Sequence, residues 1–269
     1  TEAWLDRLKQ ATVRLETGCT GSFVSPDGLV LTNHHCIEGC LARLSSESRD
    51  LVKDGFLAAE RGAELACPGS AASVLVRTED VTPRVLAAPP GLAPAAAAEA
   101  RRRALTGLEQ ACEEASKGDR RTGPLKCEAV TLYQGGQYWI YAYRRYEDVR
   151  LVFAPEKDIG AFGGDVDNFQ FPRWVLDMAL LRAYQDGRPA RTPTRLRFDW
   201  SGAEPGEPAF ISGHPGSTSR LLTNAQLDAQ RDAFLPFWLI RVSELRGRLI
   251  QYGKAGPEEE RRAEELLGN

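Results

Sequence analysis

From Cys19 to Cys36 the chain reads Cys-Thr-Gly-Ser-Phe-Val-Ser-Pro-Asp-Gly-Leu-Val-Leu-Thr-Asn-His-His-Cys, and no other stretch limits the fold as strongly. Two short apolar runs, 21–25 and 29–32, flank Ser25-Pro26-Asp27-Gly28, which has proline at the second and glycine at the fourth position of a type I turn. The pattern predicts an antiparallel hairpin. A disulfide between Cys19 and Cys36 would fasten its start to its end. His35 would then leave the second strand on a loop pinned by the adjacent cysteine, which suits a side chain whose ring orientation decides its chemistry.

Composition narrows the class. With 269 residues, 42% hydrophobic and 26% charged, the chain is long enough for one large core or two modest ones and is not of disordered composition. A net charge of −3, with no basic run, argues against a nucleic-acid partner or an anionic membrane surface. No run of eighteen apolar residues occurs, and the sequence opens at Thr1 without a methionine or signal peptide, so it reads as a soluble mature form or an excised piece.

The six cysteines, at 19, 36, 40, 67, 112 and 127, are even in number and suggest a disulfide framework in an oxidising compartment, periplasmic or secreted. Pairing by proximity would join Cys19 to Cys36, Cys40 to Cys67 and Cys112 to Cys127, one of fifteen connectivities. The rival is a zinc site drawn from His34, His35, Cys36, Cys40 and Cys67. A structural site wants two closely spaced ligand pairs, and only Cys36 and Cys40 supply one, so no metal and no cofactor is expected.

Along the chain, Trp4, Leu5, Leu8, Val13 and Leu15 predict a short amphipathic helix leading into a strand. Residues 42–66 read as helical around Leu44, Leu51, Val52, Phe56 and Leu57. Residues 74–77 and 81–86 alternate like two strands broken at 78–80. A proline-rich linker at 89–94 precedes an alanine- and arginine-rich helix over 95–117, ended by Gly118, an insertion into the strand sequence. Strands return at 129–133, 138–145 and 149–153, the second carrying Tyr138, Trp139, Tyr141 and Tyr143 as rings packed in a barrel wall. Thr223 and Gln226 form a capping-box pair opening a long helix kinked at Pro236 and ending near Gly253, and Pro257 starts another.

A histidine general base needs a buried carboxylate to fix its tautomer and stabilise the imidazolium. In chymotrypsin-like barrels that carboxylate stands just before a strand of the form Asp-x-x-Leu-Leu. Asp177 to Leu181 has this form, which makes Asp177 the candidate partner of His35. Asp165 and Asp167 alternate as calcium ligands do, but no further acidic ligand follows at the right spacing, so they read as loop carboxylates. His34 reads as a packing or hydrogen-bonding neighbour and His214 as a turn residue.

Gly18-Cys19-Thr20-Gly21, Thr32-Asn33-His34-His35-Cys36, Gly163-Gly164-Asp165-Val166-Asp167-Asn168-Phe169 and Gly213-His214-Pro215-Gly216 occur in that order. Together they resemble the bacterial dipeptidyl-peptidase family that includes dipeptidyl aminopeptidase BII, exported serine exopeptidases with a double β-barrel and an inserted helical domain. The resemblance implies a mainly β fold with helical insertions, residues 1–222 forming the first half of a chymotrypsin-like double barrel and 223–269 the start of the helical domain. It implies that His35 is the general base, Asp177 its orienting acid and Asn168 the side chain that binds the free amino terminus of a peptide. An aromatic, commonly tryptophan, follows that asparagine in the family; here it is Phe169, which lacks the indole N–H donor.

A serine peptidase also needs a nucleophile in a glycine-flanked turn, and no Gly-x-Ser-Gly occurs in these residues. Ser201 lies only twenty-four residues beyond Asp177, too few to build the second barrel half before it. The sequence therefore reads as an amino-terminal portion carrying base and acid but not nucleophile, inactive alone. Its expected partners are peptides with a free amino terminus, the carboxy-terminal part of the same protein and, as a candidate, a second copy. A trypsin-like endopeptidase and a catalytically silent peptide-binding barrel are the alternatives.

Overall fold

The computed structural model describes residues 1–87, 91, 93–119, 122–164, 172–214 and 221–267. Helix α1 (Glu2–Ala11) runs into strand β1 (Thr12–Leu15), followed by β2 (Thr20–Phe23) and β3 (Leu29–Thr32). A 3-10 turn, His35–Ile37, opens α2 (Glu38–Leu44), then α3 (Leu51–Asp54), β4 (Phe56–Leu57), β5 (Leu65–Ala66) and β6 (Ala72–Asp80). Next come α4 (Thr82–Leu86), α5 (Pro94–Ser116), β7 (Lys126–Leu132), β8 (Gln137–Tyr146) and β9 (Asp148–Ala154). The chain continues through α6 (Lys157–Gly160), β10 (Ala179–Gln185), β11 (Arg188–Pro189), α7 (Asn224–Ala229), α8 (Leu235–Gly253) and α9 (Pro257–Leu267). By contacts these divide into two interleaved units: Thr1–Thr32, Gly69–Arg150 and Leu180–His214 form one, and Asn33–Pro68, Leu151–Ala179 and Pro215–Asn269 the other.

The first unit is sheet. Its strands lie in the order β10-β3-β2-β1-β6-β8-β7, and β1–β2, β2–β3, β1–β6, β6–β8 and β7–β8 are antiparallel. The predicted hairpin is β2–β3, with Phe23 opposite Val30. Its turn needs Gly28: φ is +79°, and a Cβ there would lie 2.5 Å from the carbonyl oxygen of Ala183. The inserted helix is α5. It packs on the sheet through Leu105, Leu108 and Cys112 against Val85, Leu125, Cys127, Tyr138 and Ile140, and Cys112 is disulfide-bonded to Cys127 of β7. Glu109 and Glu113 of α5 accept from the backbone N–H groups of Ala129 (2.7 Å) and Cys127 (3.3 Å), so the helix also covers donors of a sheet-edge strand. Of the β8 aromatics, Tyr138, Tyr143 and Tyr146 are buried, and Arg14 lies over the Tyr143 ring while binding Glu128 through two hydrogen bonds of 2.8 and 2.9 Å.

Two local expectations in this unit need correction. Residues 78–80 do not break a strand: Thr78, Glu79 and Asp80 pair with Tyr141, Ile140 and Trp139, so β6 is continuous. Residues 82–86 are helix α4 instead of a strand, because Pro83 has no N–H to give a ladder but fits a first helical turn, and the Asp80 carboxylate accepts the Thr82 N–H at 2.8 Å.

The second unit contains α2, α3, α6 and the carboxy-terminal helices. The helix expected over 42–66 is shorter. It is split at Ser45, whose hydroxyl accepts the Leu51 N–H, and it ends at Gly55, with φ +69°. Phe56 and Leu57 pair instead with Ala154 and Phe153 of β9, apolar residues used as strand. Cys40 of α2 is disulfide-bonded to Cys67. The Thr223–Gln226 capping box is present, and a π-helical turn, Gln230–Phe234, stands immediately before Pro236, where a missing N–H interrupts the regular ladder. Helix α8 packs on α9, where Gly253 approaches Glu260 and Ala263, yet Phe234, Phe237, Trp238 and Ile240 remain exposed.

Candidate active site

Strand β3 ends at Thr32, and the next residues turn into the 3-10 segment that presents His35. Asp177 reaches the same place from the other side of the sequence, two residues before β10. Its own backbone is held on both sides: the N–H of Leu176 donates to the carbonyl of Ile159 (2.9 Å), and that of Met178 donates to Leu176 (2.8 Å). The Asp177 carboxylate then receives two donors from one residue. The backbone N–H of His35 reaches Oδ1 at 3.1 Å, and the ring Nδ1 lies 2.8 Å from Oδ2. Binding main chain and ring together fixes the imidazole against rotation as well as translation.

A third group completes this arrangement. The carboxamide of Asn33 donates to Oδ2 of Asp177 (3.1 Å) and to the Asp177 backbone carbonyl (3.0 Å). Asp177 is three-quarters sheltered, with 25% side-chain exposure, whereas the His35 side chain is 62% exposed. A sheltered carboxylate behind an accessible imidazole is the polarity that general-base chemistry needs. With the proton on Nδ1 donated to Asp177, Nε2 carries the lone pair able to take a proton from a nucleophile.

His34 points the opposite way. It is fully buried, its Nδ1 lies 3.6 Å from Oε1 of Glu38, and neither ring nitrogen has a hydrogen-bond partner among the described residues. The His34 ring, and more weakly Lys157 and His35, hold the Glu38 carboxyl below the usual carboxylate range against the desolvation of its half-buried site. Ser201 makes a local turn: its hydroxyl and N–H both bind Asp199, at 2.7 and 3.0 Å. His214 is half-buried, its N–H donates to Thr20 Oγ1 (2.7 Å), and burial together with Arg14 lowers its pKa from the usual histidine value.

Asn168 and Phe169 lie outside the described residues. Cys19 and Cys36 are both in disulfide linkage, as are Cys40, Cys67, Cys112 and Cys127, and no described cysteine is free. The zinc alternative thus loses its thiolates. Asn33 is the one contributor to this geometry that its residue type did not announce: it stands inside a quoted motif, but nothing in the sequence shows that its amide reaches a residue 144 positions away.

The fold is a mainly antiparallel sheet with helices, and a sheltered aspartate is hydrogen-bonded to an accessible histidine, a pairing of the kind hydrolases use. The Peptidase S46 family model matches residues 1–268, and the chain belongs to that family. It is 33% identical over 243 residues to Dipeptidyl-peptidase 7 of Capnocytophaga gingivalis, covering 86% of this chain and 33% of that protein. It is 31% identical over 233 residues to an Asp/Glu-specific dipeptidyl-peptidase of Shewanella putrefaciens, covering 81% of this chain and 30% of the relative. Among solved structures, Porphyromonas endodontalis DPP11 in complex with the dipeptide Arg-Glu superimposes with a TM-score of 0.78 at 28% identity, over 97% of this chain and 40% of that one. The chain thus spans about a third of the length of the curated relatives it matches. These relatives are dipeptidyl-peptidases. No helix among the described residues is long and apolar enough to cross a membrane.

Proposed function

We propose that this chain is the base- and acid-bearing portion of a serine-type dipeptidyl-peptidase of the periplasm or cell exterior, which removes dipeptides from the free amino terminus of peptides. The observation that carries the reading is the Asp177 carboxylate, which binds both the ring and the main chain of His35. In this reading His35 is the general base and later the general acid, Asp177 holds its tautomer and stabilises the imidazolium, and Asn33 orients Asp177. The nucleophile lies outside residues 1–269, in the length by which the relatives exceed this chain, and its hydroxyl proton passes to His35 Nε2 as it attacks the scissile carbonyl.

Asn168 is assigned the substrate ammonium, its carbonyl oxygen accepting a hydrogen bond, and Phe169 bounds the same pocket. An amide oxygen can grip an ammonium without burying a full carboxylate. Residues 1–222 correspond in this reading to the first half of a chymotrypsin-like double barrel, and 223–269 to the opening of an inserted helical domain. A Cys19–Cys36 disulfide clamps the His35 loop. The exposed apolar side chains of α8 are covered by the remainder of the same protein, and a homodimer is compatible with the same surfaces. Export is supported by the disulfides.

The test uses the full-length protein and residues 1–269 side by side. A fluorophosphonate probe is expected to label a serine of the full-length protein and nothing in 1–269, with labelling abolished by His35→Ala. Labelling of Ser201 in the shorter chain would overturn the assignment.

A further inference from the structure

His34, adjacent to the proposed base, is fully buried and has no part in the chemistry described so far. A buried imidazole whose nitrogens find no hydrogen-bond partner among the described residues carries a desolvation penalty that a valine or leucine at the same place would avoid. Two contacts define what the ring does instead. On one side it faces Glu38, in the first turn of α2. It also packs directly against Gly160 at the end of α6, where even a methyl group has no room: a Cβ at Gly160 would fall 2.8 Å from His34 Cγ and 3.0 Å from Nδ1.

Each side connects to one half of the dyad. The His34 carbonyl accepts the N–H of Ile37 at 2.9 Å, closing the 3-10 turn that carries His35. Gly160 follows Ile159, whose carbonyl accepts the N–H of Leu176, the residue before Asp177. The ring is therefore a spacer between the turn that presents the base and the segment that anchors its carboxylate.

The geometry points to His34 as a positioning residue that sets the His35–Asp177 separation by wedging its ring between Glu38 and Gly160. The inference rests on the dyad reading above, and the experiment separates the two. In the full-length enzyme, kcat is measured per substrate-binding site titrated with a fluorescent peptide, whose binding does not need the dyad, so that unfolded molecules do not count. His34→Ala is expected to lower kcat about 10²-fold with KM within about twofold, the size of effect a shift of roughly 1 Å produces. Gly160→Ala, which pushes on the ring from outside, is expected to lower kcat in the same way with His34 intact.

Combining the two changes places a methyl in the space the ring vacates, so Gly160→Ala is expected to lose its effect, or partly restore kcat, in the His34→Ala background. In an Asp177→Asn background, where the dyad no longer functions, His34→Ala is expected to change kcat less than twofold. A kcat per titrated site unchanged in both single variants overturns the inference, as does an equal loss with and without Asp177. If His34→Ala yields no folded protein, Gly160→Ala alone carries the same comparison against Asp177→Asn. An Asp177→Asn enzyme as active as wild type would overturn the dyad reading itself, and this inference with it.

Discussion

At the scale of single residues, the chemistry depends on a carboxylate with several donors aimed at it. Removing the charge but keeping the shape, as Asp177→Asn, leaves His35 in a site that no longer enforces the tautomer or stabilises the imidazolium. In triad enzymes this lowers kcat by about 10⁴-fold, and a similar loss is expected here in the full-length enzyme. Asn33→Ala deletes one donor to the same carboxylate while leaving the His35 contacts in place. A hydrogen bond to a charged group contributes about 1.5 to 3 kcal/mol, so kcat/KM is expected to fall by roughly 10- to 150-fold. Steady-state kinetics on a chromogenic dipeptide substrate checks both, and a loss in Asn33→Ala as large as in Asp177→Asn would mean that Asn33 touches substrate. The His35–Asp177 pairing was legible in the sequence because each residue sits beside a local marker, His35 before a cysteine and Asp177 before an apolar strand. Asn33 and His34 were not assigned these roles, since what each does is decided by a neighbour far away in sequence.

At the scale of elements, hairpins and long helices were readable from turn residues, caps and periodicity, and short elements were not. The segment 81–86 has an apolar pattern that suits either state; Pro83 and the Asp80 carboxylate, which accepts the Thr82 N–H, decide for helix, and Val85 is buried. Phe56 and Leu57 look helical in series with Leu51 and Val52 until Gly55 ends the helix and β9 offers a ladder. Two predictions belong here. Helix α5 is tied to β7 by the Cys112–Cys127 disulfide, which closes a loop of sequence separation 15. Replacing both cysteines by alanine is expected to lower unfolding free energy by about 2 to 4 kcal/mol in denaturant titration, and an unchanged midpoint would show that the helix docks without it.

Glu38 supplies the pH-dependent prediction. Its folded-state pKa is depressed below the ordinary 4.5, chiefly by His34, so its contribution is present above that value and is lost as pH falls through the folded one. Wild type is therefore expected to melt at a higher temperature than Glu38→Gln at pH 6, and the gap is expected to close on acidification below about 4.5. A gap that widens with acid would reverse the assigned sign.

At the scale of the whole molecule, the sequence motifs carried the family, while the composition carried only the broad class. The surface of the carboxy-terminal helices follows from neither. Helix α8 has no buried residue, and Phe237, Trp238, Leu239 and Ile240 lie in a row with more than half of their surface open except Trp238, at 50%. Apolar exposure on this scale marks a surface made to be covered. Residues 1–269 produced alone are accordingly expected to bind a hydrophobic dye strongly and to self-associate, and the full-length protein to do neither. Equal dye binding by both would mean that the remainder of the protein leaves α8 open.

The central claim is that the His35–Asp177 dyad serves a peptidase that counts two residues from a free amino terminus. The most direct measurement is mass spectrometry of the products released by the full-length enzyme, and by its Asp177→Asn variant, from one unstructured peptide in free and amino-terminally acetylated forms. The account predicts successive dipeptides from the free peptide, nothing from the acetylated one, and about 10⁴-fold slower release of the same dipeptides by the variant. Internal fragments appearing equally from both peptides, or a variant as fast as wild type, would contradict it.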